Sequence, residues 1–89
     1  MPTTRLLIKG KVQGVFYRAS AKDMADEIGI TGWVRNTNGG DVEVLVTGTT
    51  EKIEQFVNWC RVGPKKAIVT ELIITEAPGE SFSQFLVKR

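Results

Sequence analysis

A chain of 89 residues has room for one domain around one core, because a chain of this size buries only a little over ~60% of its unfolded surface. Its 12 Lys and Arg against 10 acidic residues leave a net charge of +2, with no basic run beyond Lys65-Lys66 and Lys88-Arg89, too little to argue for nucleic acid. Histidine is absent, which removes the commonest general base, a phosphohistidine route and the commonest transition-metal ligand.

In chain order, Leu6, Ile8 and Val12 share one parity with Gly10, while Lys9 and Lys11 share the other. This pattern predicts a first strand over Arg5–Val12 with one covered face. A glycine-punctuated bend follows over Gln13–Arg18, and Ala21, Met24, Ala25 and Ile28 then recur at helical spacing. They predict a helix over residues 18–28, with Ser20 and Asp23 spaced as a weak capping pair and Gly29 as its stop. Gly32–Asn36 reads as a strand, Asn38-Gly39-Gly40-Asp41 as a tight turn, and Val42, Val44 and Val46, alternating with Glu43, Leu45 and Thr47, as the returning arm of a hairpin. Thr49 or Thr50 caps a second helix with the apolar stripe Ile53, Phe56, Val57 and Cys60, which Gly63-Pro64 ends. Ala67–Thr75 is a strand, Glu76–Ser81 a turn, and Phe82–Val87 a last strand.

No repeat, low-complexity tract or linker interrupts this order, so residues 1–89 are expected to form a single domain. The expected fold class is α+β: a ferredoxin-like βαββαβ plait with an appended final strand, its two helices on one face of an antiparallel-dominated sheet. Right-handed crossovers are expected to set the first and third strands side by side and parallel at the centre. The lone cysteine, Cys60, has no internal partner and sits in an apolar stripe, which predicts a buried thiol in a reducing compartment. Met1–Arg5 lacks an apolar signal region, and no stretch approaches the ~18 apolar residues of a membrane span. A cytoplasmic chain without membrane partners is expected.

The bend Gly10-Lys11-Val12-Gln13-Gly14-Val15-Phe16-Tyr17-Arg18 is the first candidate site. A strand that turns sharply into a helix leaves the first helical N–H groups unpaired, and such a concave row of donors suits an anion. Arg18 at its mouth supplies a two-pronged cation that matches two phosphate oxygens. The competing reading is that the glycines only permit the bend and Arg18 is a solvated charge. Asn36, at the end of its strand, either orients a water beside a bound phosphorus or forms a local turn. Trp33 and Trp59 read as core packing residues. Asp23, Asp26 and Glu27 form a solvated helix face, with no metal set.

The bend resembles the acylphosphatase signature G-x-V-Q-G-V-x-[FY]-R at every specified position. Gly32-Trp33-Val34-Arg35-Asn36-Thr37-Asn38-Gly39-Gly40-Asp41-Val42 is similar to that family's second signature, an aromatic after glycine and then N-x-x-x-G-x-V. The resemblance runs on through Gly63-Pro64, Ala67 and Phe85-Leu86-Val87, so it spans nearly the whole chain. It implies a plait fold, no metal or other cofactor, and cleavage of the carboxyl–phosphate bond of acyl phosphates to a carboxylate and inorganic phosphate. It also implies Arg18 and Asn36 as the catalytic pair and Gln13, Gly14, Val15, Phe16, Tyr17 and Arg18 as the phosphate-binding loop. Partners are then a small-molecule acyl phosphate and inorganic phosphate, with no nucleic acid, and a monomer is expected. That chemistry suits the residue types present, because a carboxylate leaves without a general acid, so positioning and charge stabilisation suffice. A phosphomonoester leaves as an alkoxide and normally wants an acid or a metal. The alternative, from a different class, is a regulatory plait that binds an anion without turning it over; Asn36, which a pure binder does not require, argues against it.

Overall fold

The structure is a computed structural model that describes residues 1–88. The alternating run of the N-terminal segment forms β1 (Thr3–Lys11), which drives Leu6 and Ile8 fully into the interior. Helix α1 (Tyr17–Ile28) follows the bend and lays Ala21 and Ala25 against the sheet. These small side chains let the helix approach closely, and Met24 and Ile28 pack at its flanks. Gly29 closes it in the left-handed region, its N–H donating to the Ala25 carbonyl at 2.8 Å.

Strands β2 (Thr31–Asn36) and β3 (Val42–Thr47) form the expected hairpin, pinned by the Thr37 N–H donating to the Asp41 carbonyl at 2.9 Å. Helix α2 (Thr50–Cys60) starts at Thr49, whose hydroxyl accepts from the Lys52 N–H at 3.3 Å. Strand β4 (Ile68–Glu76) and the short β5 (Phe85–Val87) complete a five-stranded sheet of order β4-β1-β3-β2-β5.

In this two-layer α+β plait both helices face a mostly antiparallel sheet. The expected parallel pairing of the first and third strands is not found, since β1 and β3 are antiparallel, with Leu6 opposite Val44. The reason is topological. The α1 crossover makes β1 and β2 parallel, and the tight turn after β2 reverses the chain so that β3 slots between them. The last strand pairs parallel to β2 over three residues only. The expected strand start at Phe82 fails because the preceding loop is tied across the sheet instead. Thr47 Oγ1 donates to the Glu80 carbonyl at 3.2 Å, and the Glu80 N–H donates to Thr3 Oγ1 at 3.3 Å.

The core fills the space between helices and sheet around Phe56, whose ring lies 5.8 Å from Phe85 and 6.1 Å from Trp59. Trp59 packs on this core as expected, but Trp33 does not. It lies on the other sheet face, opposite Leu45, with Lys88 Nζ 4.4 Å above its ring. Strand parity decides this: Val34 takes the inward position, so its neighbour must point away. On that open face Glu43 is buried between Arg5, at 2.9 Å, and Arg35, whose Nε donates to it at 2.6 Å. Among the described residues no helix is long and apolar enough to cross a membrane.

Candidate active site

The site lies where β1 gives way to α1 and β2 gives way to its turn. Both segments leave the sheet at the same end of its strands, because β1 and β2 run parallel across one crossover. Gly10 begins the departure of the chain from β1. Its φ of 122° accompanies a shift of register between Lys9 and Gly10 against β4, and a Cβ there would run into the Ile68 carbonyl. Gly14 then takes φ 73° with open space around it, so its requirement is conformational rather than steric.

Phe16 adopts φ 64° and ψ 25° as the residue flanking α1, and no side chain caps the helix. The expected Ser20–Asp23 cap is thus displaced: Ser20 is already helical, its N–H donating to the Phe16 carbonyl at 3.1 Å. Capping by a side chain gives way to a left-handed entry, which brings the helix start to Tyr17. The loop is anchored from below by Val15 and Tyr17, both buried. The Tyr17 hydroxyl donates to the Cys60 carbonyl at 2.7 Å, and its ring packs 5.5 Å from Trp59. Burial keeps the Tyr17 hydroxyl protonated far above its usual range and pushes the Cys60 thiol up to about 12, so both groups stay neutral parts of the core.

With these side chains turned inward, the backbone of the bend faces out. Among the described residues, none of the N–H groups of Gly14 to Ala19 donates to a protein acceptor. They open onto a cleft of about 740 Å³, whose walls include Gly14, Arg18, Asn36 and Thr37. Arg18 reaches it with one Nη1 proton given to the Lys88 carbonyl at 2.9 Å, which orients the guanidinium and leaves its other donors available. Asn36 also lines it, and its Oδ1 is buried with no hydrogen-bond partner among the described residues. An orphaned buried acceptor is costly, on the order of 1–3 kcal/mol, and is rare unless something from outside is to pair with it.

Gln13 stands apart from the other loop residues. Its side-chain Nε2 donates to the carbonyls of Thr37 at 2.9 Å and Asp41 at 2.8 Å, so it braces the loop against the β2–β3 turn. The same turn is held from the sheet by Lys9, whose ammonium lies 2.9 Å from the Asp41 carboxylate and is raised above its usual pKa by that pairing. The structure thus brings Gly14, Phe16, Tyr17, Arg18 and Asn36 to one cleft, with Val15 beneath it. Thr37, Asn38 and Val87 also line it and were not legible as site residues in the sequence. Thr37 and Asn38 could have been suspected from their adjacency to Asn36; nothing local marks Val87. Among the described residues no three His, Cys, Asp or Glu side chains are grouped so as to hold a metal ion.

The family model described as Acylphosphatase matches residues 4–87. An acylphosphatase of Methylococcus capsulatus is 46% identical over 90 aligned positions, covering 100% of this chain and 98% of its own length. Among solved structures, the acylphosphatase from Bacillus subtilis superposes with a TM-score of 0.96 at 31% identity over 100% of both chains. One from Coxiella burnetii gives 0.94 at 37% identity, over 98% of this chain and 92% of its own.

Proposed function

The chain belongs to the acylphosphatase family, whose activity is the hydrolysis of acyl phosphates, and from that premise we propose which of its groups carry the reaction. The amides of Gly14 to Arg18 and the Arg18 guanidinium hold the non-bridging phosphate oxygens, Gln13 braces the loop, and Asn36 orients the attacking water. The observation that carries this reading is that Asn36, a residue of the same cleft as Arg18 and the open start of α1, holds a buried Oδ1 with no partner among the described residues.

An amide oxygen accepts a hydrogen bond but cannot take a proton at ordinary pH, so Asn36 places the water without acting as a base. The water oxygen forms a bond to phosphorus as the bond from phosphorus to the acyl oxygen breaks. The carboxylate departs with that bond's electron pair, and the water proton passes to a phosphate oxygen. Charge builds on the equatorial oxygens in the transition state, where fixed N–H donors and a bidentate guanidinium act most strongly. Tyr17 contributes through its backbone, because its ring and hydroxyl are committed to the core.

The reading extends to a cytoplasmic monomer acting on a small acyl phosphate without metal. The single buried, neutral thiol fits a reducing compartment. The test is release of inorganic phosphate from benzoyl phosphate by purified protein in excess EDTA. Turnover above background that persists in chelator is expected. Folded protein that inorganic phosphate stabilises against heat, but that releases nothing, would instead be an anion-binding plait.

A further inference from the structure

Phe16 is the residue of the loop whose side chain serves neither the phosphate chemistry nor the core. Val15 and Tyr17 on either side are buried, whereas Phe16 is 76% exposed. It also sits at φ 64°, a conformation in which a bulky non-glycine residue is an outlier. Such outliers persist where the surrounding structure demands them and concentrate at ligand clamps. Neither core packing nor helix capping accounts for an aromatic here, since Phe16 is outside the core and offers no side-chain cap. It does line the cleft, as does Val87, which is 38% exposed at the end of β5.

We propose that Phe16 and Val87 form an apolar lip that receives the acyl group, so that the protein prefers acyl phosphates with bulky apolar, and above all aromatic, acyl groups. The proposal rests on the phosphate reading given above. If the loop amides hold the phosphate, the acyl carbon lies one bridging oxygen away, at the rim rather than on the floor. The Phe16 side chain leaves the backbone immediately before the first residue of α1 and, largely exposed, lines the cleft, which is the position a lip at that rim requires. An exposed phenyl ring gains by covering an apolar partner, and ring-to-ring packing adds to the area removed from water. Acetyl phosphate offers one methyl group to this lip; benzoyl phosphate offers a ring.

The experiment compares kcat/KM for benzoyl phosphate and acetyl phosphate in wild type and in Phe16→Ala, Phe16→Gly and Phe16→Tyr. The benzoyl-to-acetyl ratio is expected to fall about tenfold in Phe16→Ala, the size typical of losing one apolar contact in a pocket. Phe16→Tyr restores it, and Val87→Thr lowers it by a smaller factor. Phe16→Gly separates specificity from scaffolding, because glycine relieves the positive φ: its melting temperature holds or rises while the ratio falls. A ratio unchanged in Phe16→Ala, or a fall in melting temperature with the ratio intact, would overturn the lip and leave Phe16 a structural residue. Failure of the wild type to hydrolyse either compound overturns the phosphate reading itself, a separate outcome.

Discussion

The side-chain amide of Gln13 donates to the carbonyl of Thr37 at 2.9 Å, which fastens the loop before Arg18 to the residue after Asn36. The same nitrogen reaches the Asp41 carbonyl at 2.8 Å. One side chain therefore ties the two halves of the site together, although it does not line the cleft.

Replacing Gln13 with leucine keeps its bulk and removes both hydrogen bonds. Two part-buried carbonyls lose a donor, which costs roughly 1–3 kcal/mol of stability. The catalytic consequence differs from the stability loss. Because Arg18 and the loop amides remain, competitive inhibition by phosphate should change only a few-fold, while kcat falls by on the order of 10², as expected when a positioned group drifts by an ångström. Loss of stability with kcat unchanged would show that the brace does not set the catalytic geometry.

Arg18→Lys keeps the charge and loses the fork. A guanidinium can give one proton to the Lys88 carbonyl and still present a parallel pair to a phosphate, whereas an ammonium on a shorter reach cannot do both. Activity should therefore not be restored by lysine, and folding should survive, since the side chain is not part of the core. A lysine variant hydrolysing benzoyl phosphate near the wild-type rate would refute the clamp.

Alkaline pH should unfold the protein through its buried acids. An unfolded thiol ionises near 9.0, but in the fold Cys60 keeps its proton up to about 12 because burial penalises the thiolate. Tyr17 is shifted in the same direction from 10.0, for the same reason. Above pH 9 the unfolded chain thus releases protons that the folded chain retains, and stability declines as pH rises through the folded values. The raised pKa of Lys9 beside Asp41 acts with the same sign, that pair being lost as pH climbs past 10.5. Melting temperatures of Cys60→Ala between pH 8 and 11 should start lower, because the variant leaves a cavity, yet fall less steeply than wild type. Equal slopes would mean that the thiol contributes nothing to the alkaline transition.

Much of this architecture was legible before the fold was seen, and the exceptions share a cause. Period-two and helical patterns marked β1, β3, α1 and α2, because Leu6 and Ile8, or Ala21 and Ala25, had to face a common core. Local residue chemistry also marked the Gly29 stop and the Thr49 cap. What failed depended on contacts distant in sequence. The antiparallel β1–β3 pairing follows from how the hairpin inserts, Trp33 faces outward by strand parity, and β5 begins only at Phe85, after a loop whose Glu80 is held by Thr3 and Thr47. The Ser20–Asp23 cap yielded to a left-handed Phe16 that no propensity favours. At the site, Arg18 and Asn36 could be named from the two signatures, but the Gln13 brace, the Lys88 carbonyl behind Arg18 and the exposed Val87 could not. The brace forms only once the β2–β3 turn meets the bend, and the other two only once β5 brings the C-terminal segment beside β2.

The central claim is that Asn36 acts on the water and Arg18 on the phosphate, and it is tested most directly by measuring turnover and phosphate binding together in Asn36→Ala. Both wild type and variant should be stabilised by inorganic phosphate, by about 2.7 kcal/mol at a hundredfold excess over Kd, because the cradle is intact. Only turnover should fail: kcat for benzoyl phosphate should drop by on the order of 10² or more, the loss expected for one positioned group acting in the transition state. Wild-type kcat in the variant, or loss of the phosphate-dependent stabilisation in step with activity, would contradict the assignment and return Asn36 to the turn it precedes.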